Sequence, residues 1–250
     1  MVKVSAVVSI YNAREFLRGR LDNLLGQQGV DLEIVAVICG SKHPEDYDVL
    51  ASYAACHENI TIIEQKRIPI YHAWNVGTDA ATGEYICNAN CDDRFAPWGL
   101  RLLSDALNDG ADVAYSSWWC TTTPNAEWCG QWDLYRGDPV YYPNGRVNWG
   151  HEPFSYARLA EMCFLGPAPL WRKALWEKTG GFDASFQIAG DYDMWSKMAL
   201  SGANIQPVPL YLGLFYHSDN QVSRSSADQL TYENWRIRHR YMEQLKARGA

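Results

Sequence analysis

Gly83-Glu84-Tyr85-Ile86-Cys87-Asn88-Ala89-Asn90-Cys91-Asp92-Asp93-Arg94-Phe95 is the stretch on which the reading of this chain turns. Gly83 to Cys87 reads as a turn feeding a short buried strand that ends near Asn88. Pro97 and the spacing of Leu100, Leu102, Leu103 and Leu107 read as a helix with proline near its first turn. Two adjacent carboxylates, Asp92 and Asp93, therefore sit where a strand ends and a connection begins. In an open parallel sheet, ligands bind outside the carboxyl ends of the strands. Two carboxylates at such an edge suit a hard divalent cation, and that cation suits a diphosphate. In isolation an acidic pair is a weak motif and reads equally as a solvated turn. The flanking sequence decides between the two.

Towards the N-terminus the chain alternates strands and helices. Val2 to Ile10 is rich in β-branched residues and predicts a buried first strand, ended by Tyr11-Asn12. Ala13 to Gln28 carries Phe16, Leu17, Leu21, Leu24 and Leu25 on one helical face. Leu32 to Ile38 predicts a second strand, Pro44 to His57 a helix and Ile60 to Glu64 a third strand. Pro69 then opens a helix to about Ala81, with Asn75 and Gly77 inside it. Short connections between such elements predict a doubly wound α/β unit with a mostly parallel sheet. Neither a G-x-G-x-x-G nor a P-loop is present, so no dinucleotide or kinase-type phosphate site is indicated.

Towards the C-terminus, Val113 to Ser117 predicts a fifth strand, and periodicity is lost from Trp118 to Pro153. That stretch holds Trp118, Trp119, Trp128, Trp132 and Trp149 among Gly, Pro and Asn. A loop this long in a compact domain is usually functional or disordered, and so many tryptophans favour an ordered wall of a binding cleft. A short helix ends at Thr179-Gly180-Gly181, and Asp191 is placed to cap the helix carrying Met194, Trp195 and Met198. Asn204 to Val208 and Leu210 to Tyr216 read as two strands. A last helix, Ala227 to Arg248, sets Leu230, Ile237, Tyr241 and Leu245 on one face and several arginines on the other.

The chain of 250 residues is long enough for one large domain, and its apolar content of 47% supports a sizeable core. A net charge of -7 argues against a general nucleic-acid binder. Seven cysteines without a C-x-x-C pair fit reduced thiols better than a disulfide framework or a zinc site. No apolar run approaches a membrane span and no signal-like segment precedes Val2, so a cytoplasmic location is expected. The 11 Trp and 15 Tyr offer flat apolar faces with polar edges, which suit sugar rings as well as core packing.

Taken in order, these pieces resemble the family 2 glycosyltransferases, whose α/β fold is called GT-A. The resemblance runs from Val4 to about Ser225. It rests on Val7-Val8-Ser9-Ile10-Tyr11-Asn12, Ala73-Trp74-Asn75-Val76-Gly77, Ala81-Thr82-Gly83-Glu84-Tyr85-Ile86 and Asn90-Cys91-Asp92-Asp93. Further on it rests on Gly180-Gly181-Phe182-Asp183, Gly190-Asp191-Tyr192-Asp193-Met194-Trp195 and Tyr216-His217. Each piece is weak alone, and their order and spacing together are strong. The chain is similar to the compact type seen in spore-coat polysaccharide enzymes; the Q-x-x-R-W signature of the processive membrane synthases is missing.

The resemblance implies a GT-A domain over 1–226, with a nucleotide-sugar half (1–117), an acceptor half (118–226) and a C-terminal helix (227–250). It implies an inverting transfer from a nucleoside diphosphate sugar, a UDP-sugar by default, to a hydroxyl of an acceptor glycan, as in polysaccharide biosynthesis. Ser9, Ile10, Tyr11, Asn12, Cys39, Asn75 and Asp92 are implied for the donor nucleotide. Asp92, Asp93 and His217 are implied for Mn²⁺ or Mg²⁺, and Asp191 for the general base. Trp128, Trp132, Trp171 and Asp193 are implied for the acceptor. Two positions depart from the family pattern: Ile38-Cys39-Gly40-Ser41 lacks the acid that usually follows the second strand, and Asn90 replaces an acid that often begins the metal motif. Two other functions stay open: a catalytically silent sugar-binding module of the same fold, and glycosylation of a modified nucleic-acid base, suggested only by the arginine-rich last helix.

Overall fold

The computed structural model describes residues 2–127, 153–218 and 226–249. Four strands pair in parallel in the order β3-β2-β1-β4: β1 (Lys3–Ile10), β2 (Asp31–Cys39), β3 (Ile60–Gln65) and β4 (Tyr85–Asn88). They are joined through α1 (Leu17–Leu25), α2 (Pro44–Cys56) and α3 (Ile70–Ala80). The chain order turns back on itself between β1 and β4, so the loops leaving those two strands flank the crevice in which open α/β sheets bind ligands.

Beyond β4 the sheet becomes mixed. β5 (Arg94–Phe95), α4 (Gly99–Asn108), β6 (Val113–Thr121), α5 (Tyr156–Glu161), β7 (Leu170–Arg172), α6 (Lys173–Thr179), α7 (Gly190–Leu200), β8 (Ile205–Tyr216) and α8 (Ala227–Arg248) follow in sequence. β7 pairs antiparallel with β4 and β6, β6 runs parallel to β8, and β5 closes the edge antiparallel to β8. The two strands expected over 204–216 are one strand. Pro207 and Pro209 make it look interrupted, and the register shift opposite Ser116 and Ser117 leaves Pro209 and Leu210 without partners, where a proline does least harm to a ladder.

Alternation along β1 separates two cores. Val4, Ala6 and Val8 face α1, α2 and α4 through Leu17, Leu21, Leu50 and Leu103. Val7, Val35 and Val37 face α3 and the later helices through Trp74, Trp195 and Met198. Gly77 lets α3 lie close to the sheet: a Cβ there would stand 2.3 Å from Val7 and 3.0 Å from Val37. Trp118 and Trp171, read from sequence as cleft residues, are core. Trp171 is fully enclosed on β7, with its ring 5.4 Å from Trp195 and 6.0 Å from Phe182, so it packs the sheet and does not reach an acceptor. Trp128, Trp132 and Trp149 lie outside the described residues. No described helix is long and apolar enough to cross a membrane.

Candidate active site

The turn after β4 is held against the end of β1. The Ala89 amide donates to the Val7 carbonyl at 2.8 Å, and the Cys91 thiol lies 3.5 Å from the Ser9 carbonyl. Two buried arginines support the turn from beneath. Arg20 Nη1 donates to the Asp93 carbonyl at 2.9 Å, and Arg94 Nη1 donates to the carbonyls of Cys91 and Asp93 at 2.8 and 2.7 Å. Their charges partly offset the acidic pair above them. The Asp93 carboxylate is enclosed and accepts from Asn90 Nδ2 and from the Tyr216 amide, both at 3.2 Å. Asp92 is partly exposed. Burial raises the pKa of both carboxylates, and the neighbouring Asp92 charge raises that of Asp93 further. Two carboxylates that repel each other and retain free lone pairs gain from a cation placed between them and a ligand.

The chemistry of this donor set fits Mg²⁺ or Mn²⁺ bound together with a diphosphate. Such ions take one or two carboxylates from the protein and complete their shell with phosphate oxygens and water. Among the described residues no three His, Cys, Asp or Glu side chains converge on one point. His217 therefore does not join Asp92 and Asp93 as a third ligand in this conformation. It follows the Tyr216 amide that meets Asp93, and its own amide donates to the Thr121 carbonyl at 2.8 Å.

The loops after β1 and β2 form the neighbouring wall. Tyr11 is exposed, and the Arg67 guanidinium lies 3.8 Å from its ring centroid. Asn12 takes a left-handed backbone (φ 53°), and its Oδ1 accepts the Lys42 amide at 2.9 Å. Ile10 and Cys39 point into the core, so only their backbone faces this edge; burial raises the Cys39 thiol pKa. Asp46, from the first turn of α2, lies beneath both loops. Its Oδ2 accepts the Ala13 amide at 3.0 Å and the Ser41 hydroxyl. Gly40 is required here: its φ is +62°, and a Cβ would stand 2.9 Å from the Arg67 amide nitrogen. Neither Asp46 nor Arg67 was singled out from sequence. Asp46 reads as an ordinary first-turn acid of a helix, and Arg67 as one of two basic residues in a loop.

Asn75 is the clearest reassignment on this edge. Its side-chain amide brackets Phe182: Nδ2 donates to the Phe182 carbonyl and Oδ1 accepts the Phe182 amide, both at 2.8 Å, while Trp176 Nε1 also donates to Asn75 Oδ1 at 3.2 Å. With donor and acceptor both engaged, it fixes the 180–182 turn and is not free for a nucleotide.

Asp191 sits in the first turn of α7, and its Oδ1 accepts the Tyr192 amide at 2.8 Å. It does not cap the helix from the N-cap position, which Ala189 occupies without a side-chain bond. The amides of Gln187, Ile188 and Ala189 donate to the Glu233 carboxylate of α8, at 2.8, 2.9 and 2.8 Å. Burial opposes the charge on Glu233, but these bonds and one from Gln229 outweigh it and hold its pKa below the usual value. Sequence reasoning missed Glu233 because its partners lie more than 40 positions away.

Asp191 lines a cavity of about 300 Å³ together with Met162, Cys163, Leu230, Asn234 and Arg238. Burial first, then the Glu233 charge, push its pKa up to about 6. Tyr71, at the start of α3, lies beside it and donates to the Ile188 carbonyl. Because α3 begins where β3 ends, Asp191 lies at the same edge of the sheet as the loops carrying Tyr11 and Asp92. Asp193, two residues on, is fully buried and points the other way. Arg240 Nη1 and the Tyr241 hydroxyl donate to its Oδ1, both at 2.9 Å, and Lys197 Nζ lies 3.2 Å from Oδ2. It anchors α8 and does not line the acceptor side.

The geometry defines a class: an α/β protein with an acidic pair at the switch point of its sheet and a poised carboxylate at the same edge. The family model for glycosyl transferase family 2 matches residues 5–166, and the chain belongs to that family. It is 29% identical to the uncharacterized glycosyltransferase YibD of Escherichia coli over 128 residues, covering 51% of this chain and 35% of that protein. It is 26% identical to the chondroitin synthase of Escherichia coli over 200 residues, covering 80% of this chain and 27% of the synthase. The chain thus spans well under two thirds of the length of these curated relatives. Among solved structures, S. aureus TarS in complex with UDP-GlcNAc superposes with a TM-score of 0.72 at 19% identity, over 94% of this chain and 65% of TarS. The mannosyltransferase PcManGT of Pyrobaculum calidifontis, in complex with GDP-Man and Mn²⁺, gives 0.63 at 18% identity, over 98% and 63%. These likenesses are of the GT-A fold.

Proposed function

We propose that this chain is an inverting glycosyltransferase that moves a sugar from a nucleoside diphosphate donor, UDP-linked, to a hydroxyl of an acceptor glycan. The observation that carries the reading is the shared sheet edge, which presents the Asp92–Asp93 pair on one side of the crevice and Asp191, beside its cavity, on the other. The loops at Ser9 to Asn12 and Gly40 to Ser41 receive the nucleobase, with the Tyr11 ring as its platform. A divalent cation held by Asp92 and Asp93 would neutralise the charge gathering on the diphosphate as it departs. Asp191 takes the proton of the acceptor hydroxyl. The acceptor oxygen then forms its bond to the anomeric carbon as the bond from that carbon to the diphosphate oxygen breaks, and the electron pair leaves with the diphosphate. A carboxylate whose pKa lies near 6 is deprotonated at neutral pH and more basic than a solvated one, which suits this task.

TarS with UDP-GlcNAc and PcManGT with Mn²⁺ support the donor class and the cation. The arginines of α8 favour a glycan over a nucleic acid as acceptor. Arg240 pairs with Asp183 and Asp193, Arg236 meets Ser185 and the Phe186 ring, and Arg248 donates to the Leu200 carbonyl, so these groups brace the fold. The test is a thermal-shift series with UDP and GDP, with and without Mn²⁺, followed by assay of nucleoside diphosphate release from UDP-sugars. Cation-dependent stabilisation by UDP and release of UDP are expected. Absence of cation-dependent stabilisation by either nucleotide would overturn the reading.

A further inference from the structure

Among the described residues, helix α8 packs one apolar face on the core and carries an aromatic strip on the opposite face. The inner face carries Leu230, Ile237, Tyr241 and Leu245, which pack on the core, together with the Glu233 clamp. A surface helix ordinarily needs no second stripe. Yet Tyr232 and Trp235 are 54% and 55% exposed on the opposite face. The rings of Tyr232, Trp235 and His239 lie nearly parallel, with centroids 6.2 and 5.2 Å apart and tilts of 19° and 9°. This is a preordered strip rather than scattered surface rings.

The strip keeps heptad spacing. Asp228, Tyr232, Trp235, His239, Met242 and Lys246 follow one another by four, three, four, three and four residues, which is the a/d seam of a coiled coil. The seam is also symmetric about position 237. Asp228 and Lys246, Tyr232 and Met242, and Trp235 and His239 each lie equally far on either side of it. In an antiparallel pair of identical helices, each a position faces a d position. The terminal aspartate of one copy then meets the terminal lysine of the other, at both ends. The central layer sets an indole against an imidazole, and next to it Tyr232 meets the flank of Met242, which also packs on the core of its own copy. A two-fold pairing of this kind is closed and isologous.

We infer that the outer face of α8 is a docking surface for a second copy of this chain, packed antiparallel about a two-fold axis near position 237. The charges at the ends of the seam choose the partner and its direction. A parallel pair would set aspartate against aspartate and lysine against lysine, and an anionic bilayer would meet Asp228 with like charge.

Sedimentation velocity of the whole chain over a hundredfold range of concentration tests this, read beside co-flotation with vesicles of anionic phospholipid. The expected result is a concentration-dependent rise from 28.4 kDa to twice that mass. Trp235→Asp should hold the chain monomeric with its circular-dichroism melt unchanged, since the indole is more than half exposed and stacks on the surface rings of Tyr232 and His239. Asp228→Lys alone and Lys246→Asp alone should each weaken self-association at least tenfold, and the two together should restore it. A monomer at every concentration overturns the inference, whether or not vesicles capture it. A dimer indifferent to Trp235→Asp places the interface elsewhere and overturns it. Failure of the paired charge reversal to restore association overturns the antiparallel arrangement.

Discussion

The two regions that meet at the candidate site are built on different rules. The donor edge, formed by β1 to β4, presents its side chains on loops that leave adjacent parallel strands, so what matters there lies close in sequence to a strand end. The region formed by α5 to α8 places Asp191 through contacts that reach across the chain: Glu233 from α8 holds the loop before it, and Asn75 from α3 holds the 180–182 turn. An acid on the donor edge can therefore be placed at the binding edge of the sheet from position alone. Beside Asp191 the same inference fails at Asp193, whose carboxylate is buried in an ion-pair network with α8. Variants can separate the two regions, because the first should govern donor binding and the second the transfer step.

The largest effect is expected at Asp191. Asp191→Asn keeps shape and hydrogen bonding but cannot take a proton, and loss of a general base lowers the rate about a hundred- to ten-thousand-fold. Donor affinity and melting temperature should be unchanged. The pH profile of the wild type gives a second reading. With a pKa raised to about 6, Asp191 is charged above that pH and protonated below it, so kcat/KM should be level above about 6 and fall tenfold per unit below it. Transfer by Asp191→Asn at the wild-type rate would assign the proton to another group.

Next comes the donor edge. Asp93→Ala should remove cation-dependent nucleotide binding and cut turnover, including hydrolysis without acceptor, by about a hundred- to a thousandfold. Hydrolysis separates the regions, because a base acting on the acceptor matters less when water is the acceptor. An Asp93→Ala protein that binds UDP in the presence of Mn²⁺ as tightly as wild type would remove the acidic pair from the site.

A smaller effect is expected at Asp193, and in stability rather than rate. Asp193→Ala leaves the Tyr241 hydroxyl without its acceptor and removes one of the two carboxylates that Arg240 meets, with a cost of about 1–3 kcal/mol in chemical denaturation. UDP affinity should not change. If Asp193→Ala lost transfer at wild-type stability, its place in the α8 anchor would be wrong and an acceptor role would return.

Much of the donor edge was legible because its signals are local. β4 and α8 have the bounds that the apolar pattern predicts, and α3 differs by one residue at each end. The acidic pair was legible because a strand precedes it. Elements stabilised by distant partners were not. β5 is two residues long and exists only by pairing with β8, whose own continuity is hidden by Pro207 and Pro209. Trp171 was assigned to the acceptor through the family resemblance alone, and the pairing of β7 between β4 and β6 buries it. Asp46 supplies a carboxylate beneath the loop where the family's usual acid is missing, but it does so from α2, five residues after Ser41.

The smallest effect tests how the donor edge meets the base. The Arg67 guanidinium rests 3.8 Å from the Tyr11 ring centroid, on the face a flat nucleobase would use. It must yield that face when a base stacks there. Base–aromatic stacking contributes about 1–3 kcal/mol, so Tyr11→Ala should weaken UDP binding about five- to a hundredfold. Arg67 exchanges one π face for another if it moves from the tyrosine onto the far side of the base. An exposed cation–π contact is worth about 0.5–1 kcal/mol, so Arg67→Ala should weaken UDP binding only about two- to fivefold, with no change for a ribose diphosphate lacking the base. Calorimetric titration of the two ligands reads the difference. Tighter UDP binding by Arg67→Ala would mean that the guanidinium competes with the base for Tyr11. Equal weakening for both ligands would place Arg67 on the diphosphate, alongside the cation and not the base.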